Sequence, residues 1–404
     1  MSGGREPAAG DGNVSGGHWV DTWTAMPQLT EPGNLPPAPY TTGDLVLADS
    51  TLRQTVRVSA GGERVRLRLS NTFGGAPLPV TRVSVAYPAG GRAGVSTIQP
   101  GSARPVTFHG RPSTVVPVGA QVVSDPLDQP LPPGSVLTVT LYLAEGQASA
   151  AITSHPGSRT TSYLAKGNQA DAEELAGATP VEHWYFLSAV EVWSPAATAA
   201  LVLLGDSLTD GRGSTTNHDN RWPDQLFDRL PGGGVAIANQ AAGGNRVLSD
   251  GLGPGALARL DRDVLARSGA RWLVVFEGVN DIGTAEATQD AQKKIADDLV
   301  AAYDQIIVRA HARGLIVYGA TLTPFGGNDY DDAQGHREAS RQTVNDWIRT
   351  GGRFDAVIDF DRAVHDPADP RRLLAAYDVG DGLHLSPAGY QALAAAVPAR
   401  LFTR

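Results

Sequence analysis

Hydrophobic and polar positions follow two different periods along this chain. From about His18 to Trp193 they alternate in twos. The runs are Gln54 to Ser59, Arg64 to Ser70, Val80 to Tyr87 and Val136 to Leu143. Alternation of this kind predicts strands with one face on a core and the other toward water. Turn signals such as Gly61-Gly62, Gly74-Gly75 and Pro132-Pro133-Gly134 separate them. Several short strands at such intervals predict a two-sheet sandwich or jelly roll, with a strand order that the pattern leaves open.

The period changes at Ser194-Pro195-Ala196-Ala197-Thr198, which reads as a linker. Beyond it, apolar runs at Leu201–Leu204, Val235–Asn239, Trp272–Phe276, Leu315–Thr321 and Ala356–Phe360 predict five strands. Helical patterns follow them near Trp222–Leu230, Gly255–Arg267, Gln289–Arg313, Arg337–Arg349 and Pro387–Leu401. Strands alternating with helices predict a parallel sheet covered on both faces, with ligands outside the carboxyl ends of its strands. The expected organisation is a leader at 1–17, a β-sandwich domain at 18–195 and an α/β domain at 196–404. No internal repeat is visible.

Composition narrows the function classes. The chain has 404 residues, of which 41% are hydrophobic and 19% charged, as in ordinary globular proteins. A net charge of −9, with no cluster of basic residues, excludes a nucleic-acid partner. The absence of cysteine removes disulfides, thiolate metal sites and cysteine nucleophiles together. The opening, rich in Gly, Ala, Ser and Pro, lacks the apolar core of a secretion signal and reads as a disordered leader, left after a signal was trimmed. The longest apolar run, Ala196 to Leu204, is far short of the roughly 20 residues of a membrane helix.

The chemistry gathers at the predicted strand ends. The first strand runs into Gly205-Asp206-Ser207-Leu208-Thr209-Asp210-Gly211, and the second into Asn239 and Gly243-Gly244-Asn245-Arg246. The third ends at Gly278-Val279-Asn280-Asp281, and Asp381-Gly382-Leu383-His384 precedes the last helix. A serine hydrolase needs a nucleophile, a base, a group that orients the base, and donors for the oxyanion. Ser207, His384 and Asp381 fit the first three roles. The backbone N–H groups of Ser207 and Gly244 and the amide of Asn280 fit the fourth. Asp206, Asp281, Asn245 and Arg246 read as supports for these loops. Ser386 and Pro387 are placed to open the final helix as N-cap and first helical residue.

These four blocks resemble the SGNH hydrolase superfamily, also called GDSL lipases or esterases. The first block is Gly205 to Leu208, the second Asn239 to Asn245, the third Gly278 to Asp281 and the fifth Asp381 to His384. Ala241 stands where many members have glycine. The resemblance covers about Leu201 to Leu401. It implies a flavodoxin-like α/β/α domain with a five-stranded parallel sheet, and hydrolysis of carboxylic esters through an acyl-enzyme without metal or organic cofactor. Trp19-Val20-Asp21-Thr22-Trp23, Leu52-Arg53-Gln54 and Arg66 to Asn71 resemble the N-terminal β-sandwich of bacterial and fungal members. The expected partner is a small-molecule ester, led by an acylated carbohydrate; that preference rests on analogy between the sandwich and sugar-binding modules. Small or medium acyl and aryl esters and lipids come after it, and secretion follows from family habit. The rival readings are an acyltransferase on the same site and an inert binding protein acting through the sandwich. Oligomeric state is open.

Other motifs carry less. Gly326 to Gly335 holds Asp329, Asp331 and Asp332 but lacks the glycine and closing glutamate of a calcium loop, so it reads as a solvated rim. Gly251-Leu252-Gly253-Pro254-Gly255 has the wrong spacing for a dinucleotide loop, and Gly-x-Ser-x-Gly is absent. Trp184, Tyr185 and Phe186 invite a sugar-platform reading. As consecutive strand residues they point to alternating faces, which makes core packing the expectation for at least one.

Overall fold

The computed structural model describes residues 16–403 except 231. All but the last two residues of the expected leader lie outside this range. Gly17, its final residue, already opens a strand, Gly17–Thr24.

Two large antiparallel sheets, with smaller ones of two and three strands beside them, build the N-terminal half. One orders Gly17–Thr24, Leu187–Pro195, Gly62–Ser70 and Gln121–Val123, with Leu127–Leu131 also paired to Gly62–Ser70. The other orders Thr179–Val181, Ser162–Lys166, Ser50–Arg57, Val136–Leu143, Arg82–Ala86 and Arg104–Val106. Gly62–Ser70 keeps the expected alternation: Val65, Leu67 and Leu69 are buried, while Arg64, Arg66 and Arg68 lie nearer the surface.

Ser50–Arg57 and Val136–Leu143 correct the simple reading, because both faces of these strands are buried. Loops cover the second face. Arg53, wholly buried, donates to the carbonyls of Ser96 at 2.6 Å and Ala172 at 2.7 Å and to Thr140 Oγ1 at 3.0 Å. A polar residue at an outward position thus becomes the tie that holds a covering loop.

In the C-terminal half, β1 (Ala199–Gly205), β2 (Val235–Asn239), β3 (Ala270–Phe276), β4 (Ile316–Ala320) and β5 (Ala356–Ile358) form one parallel sheet. Its order is β2-β1-β3-β4-β5, the flavodoxin-like order. β1 is buried along its whole length, as a strand covered on both faces must be. The helices are α1 (Ser207–Asp210), α2 (Trp222–Arg229), α3 (Ala256–Leu260), α4 (Val279–Thr284), α5 (Gln289–His311), α6 (His336–Thr350), α7 (Phe360–Val364) and α8 (Pro387–Ala396). The sequence pattern misses α1, α4 and α7, which have no more than six residues each and so cannot display a helical period. The helix expected at Gly255–Arg267 widens into a π turn at Asp261–Leu265.

The linker reading is also corrected in part. The strand Leu187–Pro195 and β1 leave only 196–198 between them. The two halves are stitched at several points: Thr24 Oγ1 donates to the Asn239 carbonyl at 2.8 Å, Ile237 N to Ser59 Oγ at 2.7 Å and Asp21 N to the Ser268 carbonyl at 3.0 Å. One hydrophobic core runs through both halves.

Candidate active site

β1 delivers Ser207 from a turn with few alternatives. Asp206 caps α1, its Oδ1 accepting from Leu208 N at 2.9 Å. Ser207 is therefore the first helical residue, and its N–H has no partner within the helix. Gly211 ends the turn at φ +95°, where a Cβ would lie 2.2 Å from Arg221 Cγ.

Asp381, Gly382 and Leu383 turn sharply ahead of α8. Asp381 Oδ1 accepts from the backbone N–H groups of Leu383 at 3.0 Å and His384 at 2.8 Å, and its Oδ2 lies 2.6 Å from His384 Nδ1. His384 Nε2 lies 2.9 Å from Ser207 Oγ. With Nδ1–H donating to the carboxylate, Nε2 is left to accept the serine proton. Burial lowers the imidazole's pKa below its ordinary value and Asp381 pulls it back up, while the charges of Arg212 and Arg159 add to the lowering. Partial burial pushes Asp381 up, but the N–H and ring of His384 and the N–H of Leu383 outweigh it and hold the carboxyl below the usual range. At neutral pH the imidazole is thus neutral and the carboxyl ionised. As expected, Ser386 caps α8 through Gly389 N, with Pro387 behind it.

Gly244 and Asn280 line the same cavity as Ser207. Gly244 has φ +70°, and a Cβ there would lie 2.5 Å from Leu252 Cδ1, so the loop after β2 requires glycine at this point. Asn280, in α4, gives one amide hydrogen to the Asn245 carbonyl at 2.8 Å and accepts at Oδ1 from Tyr330 O–H at 2.9 Å. These two bonds set the amide's orientation and leave its second N–H free to serve the cleft, which Asn280 lines.

The residues read as supports act on backbone and loops. Asp281 accepts from Val247 N at 2.8 Å and Leu248 N at 2.9 Å, fixing the loop after β2. Asn245 receives the buried Arg259 guanidinium at 2.8 and 3.0 Å. Arg246 is bound to the Asp250 carbonyl. Burial raises the carboxyl of Asp206 to about 7, with the charges of Asp281 and Asp210 adding to it. Ala241, at the family's glycine position, is buried and donates to Asn239 Oδ1 at 3.0 Å.

The sequence reading missed several residues of the cleft, a cavity of about 540 Å³. The β-sandwich supplies one wall through Gln28, Glu31, Asn34, Arg159 and His183, facing Ser207 and His384. His155, on the sandwich, reaches Asp210 at 2.8 Å, and Asp210 accepts Gly243 N at 3.1 Å. Tyr330 comes from the acidic segment read as a solvated rim. There Asp332 accepts from His336 N at 3.0 Å and Arg337 N at 2.9 Å at the start of α6, and Asp331 accepts from Gly327 N at 3.0 Å. The aromatic residue amid those polar ones was the available signal. Trp184, Tyr185 and Phe186 are all buried, so they form no sugar platform; Phe186, at φ +62°, breaks the alternation.

Fold and site together define a flavodoxin-like hydrolase of the SGNH/GDSL type. Residues 203–392 match the model of the GDSL-like Lipase/Acylhydrolase family. The protein is a carboxylic ester hydrolase. Among solved structures, a G-D-S-L family protein from Desulfitobacterium hafniense is 18% identical, with 50% of this chain and 99% of that one covered and a TM-score of 0.39. A GDSL-like lipase from Bacteroides thetaiotaomicron is 16% identical over 48% and 84% of the two chains, with a TM-score of 0.37. Axe2, an acetylxylan esterase from Geobacillus stearothermophilus, is 20% identical over 50% and 93%, also with a TM-score of 0.37. No curated protein matches the chain.

Proposed function

We propose that Ser207 attacks the ester carbonyl while His384 takes its proton and Asp381 holds the imidazole in the tautomer that can accept it. The oxyanion then sits among the N–H groups of Ser207 and Gly244 and the Asn280 amide. Collapse expels the alcohol, protonated by His384, and water activated by the same residue releases the acid. The observation that carries this reading is the unbroken relay of 2.9 Å and 2.6 Å from Ser207 through His384 to Asp381.

The substrate we favour is a short-chain ester of a polyhydroxylated alcohol, an acylated carbohydrate above all. Gln28, Asn34 and His183 offer hydroxyl partners on the sandwich wall, whereas a long acyl chain would leave these polar groups desolvated. The sandwich acts here as a wall that shapes the substrate.

Hydrolysis of 4-nitrophenyl esters from acetate to palmitate, by wild type and Ser207→Ala, tests both parts. The expected result is turnover by the wild type only, falling steeply beyond short acyl chains. Activity retained in Ser207→Ala overturns the nucleophile, and a maximum at palmitate overturns the short-acyl polar substrate. A rise in acylated product on adding an acceptor alcohol would move the chemistry to transfer.

A further inference from the structure

Among the described residues, two guanidinium groups in the cleft have no anion to answer them. Arg159 comes from the sandwich loop after Thr153–His155, and Arg212 from the turn after α1; both line the cavity that holds Ser207 and His384. Among the described residues neither side chain makes an ion pair or a hydrogen bond, and the Arg159 Nε is buried with no partner. The acids of the same cleft are already engaged. Glu31 accepts from Gln28 Nε2 at 2.7 Å and Asn34 Nδ2 at 2.9 Å, Asp210 holds His155, and Asp381 holds His384.

The backbone under both arginines is fixed. Arg159 sits at φ +51°, a conformation that costs about 1 kcal/mol or more in a residue other than glycine. Its carbonyl accepts from Asn217 N at 2.9 Å, and Asn217 Oδ1 takes Thr161 N at 2.7 Å. Arg212 N donates to the Ser207 carbonyl at 3.0 Å, and its own carbonyl accepts from Tyr390 O–H at 2.6 Å. One cation is thus tied to the turn that carries the serine, and the backbone of the other is held by Asn217. Both lie near enough to His384 to lower its proton affinity. A guanidinium that lines the cleft without an acceptor from the protein calls for one from the ligand.

We propose that Arg159 and Arg212 form an anion subsite, so that the preferred ester carries a carboxylate or phosphate group close to its scissile bond. This rests on the reading of Ser207 as nucleophile. On a carbohydrate, the corresponding substrate is an acylated acidic or phosphorylated sugar.

Matched pairs of esters test the subsite. On the acyl side they are 4-nitrophenyl hemiglutarate and 4-nitrophenyl valerate. On the alcohol side they are acetylated glucuronate and acetylated glucose, and acetylglycerol phosphate and acetylglycerol. The wild type should favour the anionic member of at least one pair by about tenfold or more in kcat/KM, the scale of one charge-assisted contact. The preferred pair identifies the anion and the side of the ester that bears it. The preference should fall in Arg159→Gln and Arg212→Gln, vanish in the double variant, and weaken with added salt. Equal rates within every pair, or a preference that survives the double variant, overturn the subsite. If the wild type hydrolyses none of these esters, the reading of Ser207 fails, and calorimetry judges the subsite by itself. Tighter binding of hemiglutarate than valerate ester, or of acetylated glucuronate than acetylated glucose, by Ser207→Ala, lost on adding both arginine changes, supports it. Indifference to the charge overturns it.

Discussion

His155 Nε2 and Asp210 Oδ1 meet at 2.8 Å across the boundary between the sandwich and the α/β domain, both side chains almost wholly buried. The other ring nitrogen, Nδ1, lies 3.0 Å from the Met26 carbonyl, so both nitrogens face acceptors and a proton must sit between ring and carboxyl. Asp210 in turn holds Gly243 N, next to Gly244. The sandwich therefore reaches the proposed oxyanion loop through one contact. Gly157 makes room for it, since a Cβ there would lie 1.9 Å from Asp210 Oδ2.

Removing the ring should strand a buried carboxyl. His155→Ala is expected to cost about 3 kcal/mol of stability. It should also lower kcat about tenfold through the loosened Gly243-Gly244 loop, with KM changing less. Asp210→Asn on the same background should recover part of the stability. Denaturant unfolding of both single variants and the double closes the cycle, and additive losses would refute the coupling.

Tyr330 is expected to act on catalysis through Asn280, whose Oδ1 receives its hydroxyl at 2.9 Å. Asn280→Ala should reduce kcat by about 10²–10³ with KM little changed, as for other oxyanion donors. Tyr330→Phe leaves the amide in place but freer to rotate, so its loss in kcat should be smaller, about fivefold. A Tyr330→Phe effect confined to KM would place the tyrosine on the substrate instead.

The pH profile should carry the mark of His384. Burial lowers its pKa, so kcat/KM on a neutral ester should rise with pH through a midpoint below 6.5 and be flat by neutrality. Arg212 and Arg159 disfavour the imidazolium. Their replacement by glutamine should therefore raise the pKa and move the acidic limb to higher pH. Profiles of wild type and variants on one neutral ester decide this, and a limb that stays fixed or moves down contradicts the assignment.

What the sequence could reveal followed contact range. β2 and Val136–Leu143 coincide with their predicted bounds, because apolar runs and alternation report burial directly. The blocks around Ser207, Asn280 and His384 were visible because each lies at a strand end or just before a helix. His155 and Arg159 were invisible for the opposite reason. His155 ends a short sandwich strand and Arg159 follows in the loop after it, where nothing local distinguishes them, and what they face belongs to the other domain. The burial of Arg53 under a covering loop is likewise something that alternation along its strand cannot foresee.

Asp206 ties stability to pH. Its carboxyl titrates near 3.8 in an unfolded chain and, through burial, at about 7 in the native protein. Between those values the unfolded chain has released the proton that the native state still holds, so stability falls as pH rises through this window and levels off above it. Asp206→Asn keeps an acceptor for Leu208 N and has no proton to lose. The variant's melting temperature should therefore gain on the wild type between about pH 5 and pH 8, by a few degrees, for a linkage on the order of 2 kcal/mol. Burial raises the neighbouring Glu277 to about 8 and the Asp206 charge adds to it, so the variant also relaxes that second linkage and its gain runs in the same direction. Thermal unfolding at a series of pH values measures the gap. Two curves that stay parallel across the window would mean that Asp206 is ionised throughout it, and that the turn under Ser207 carries a buried charge.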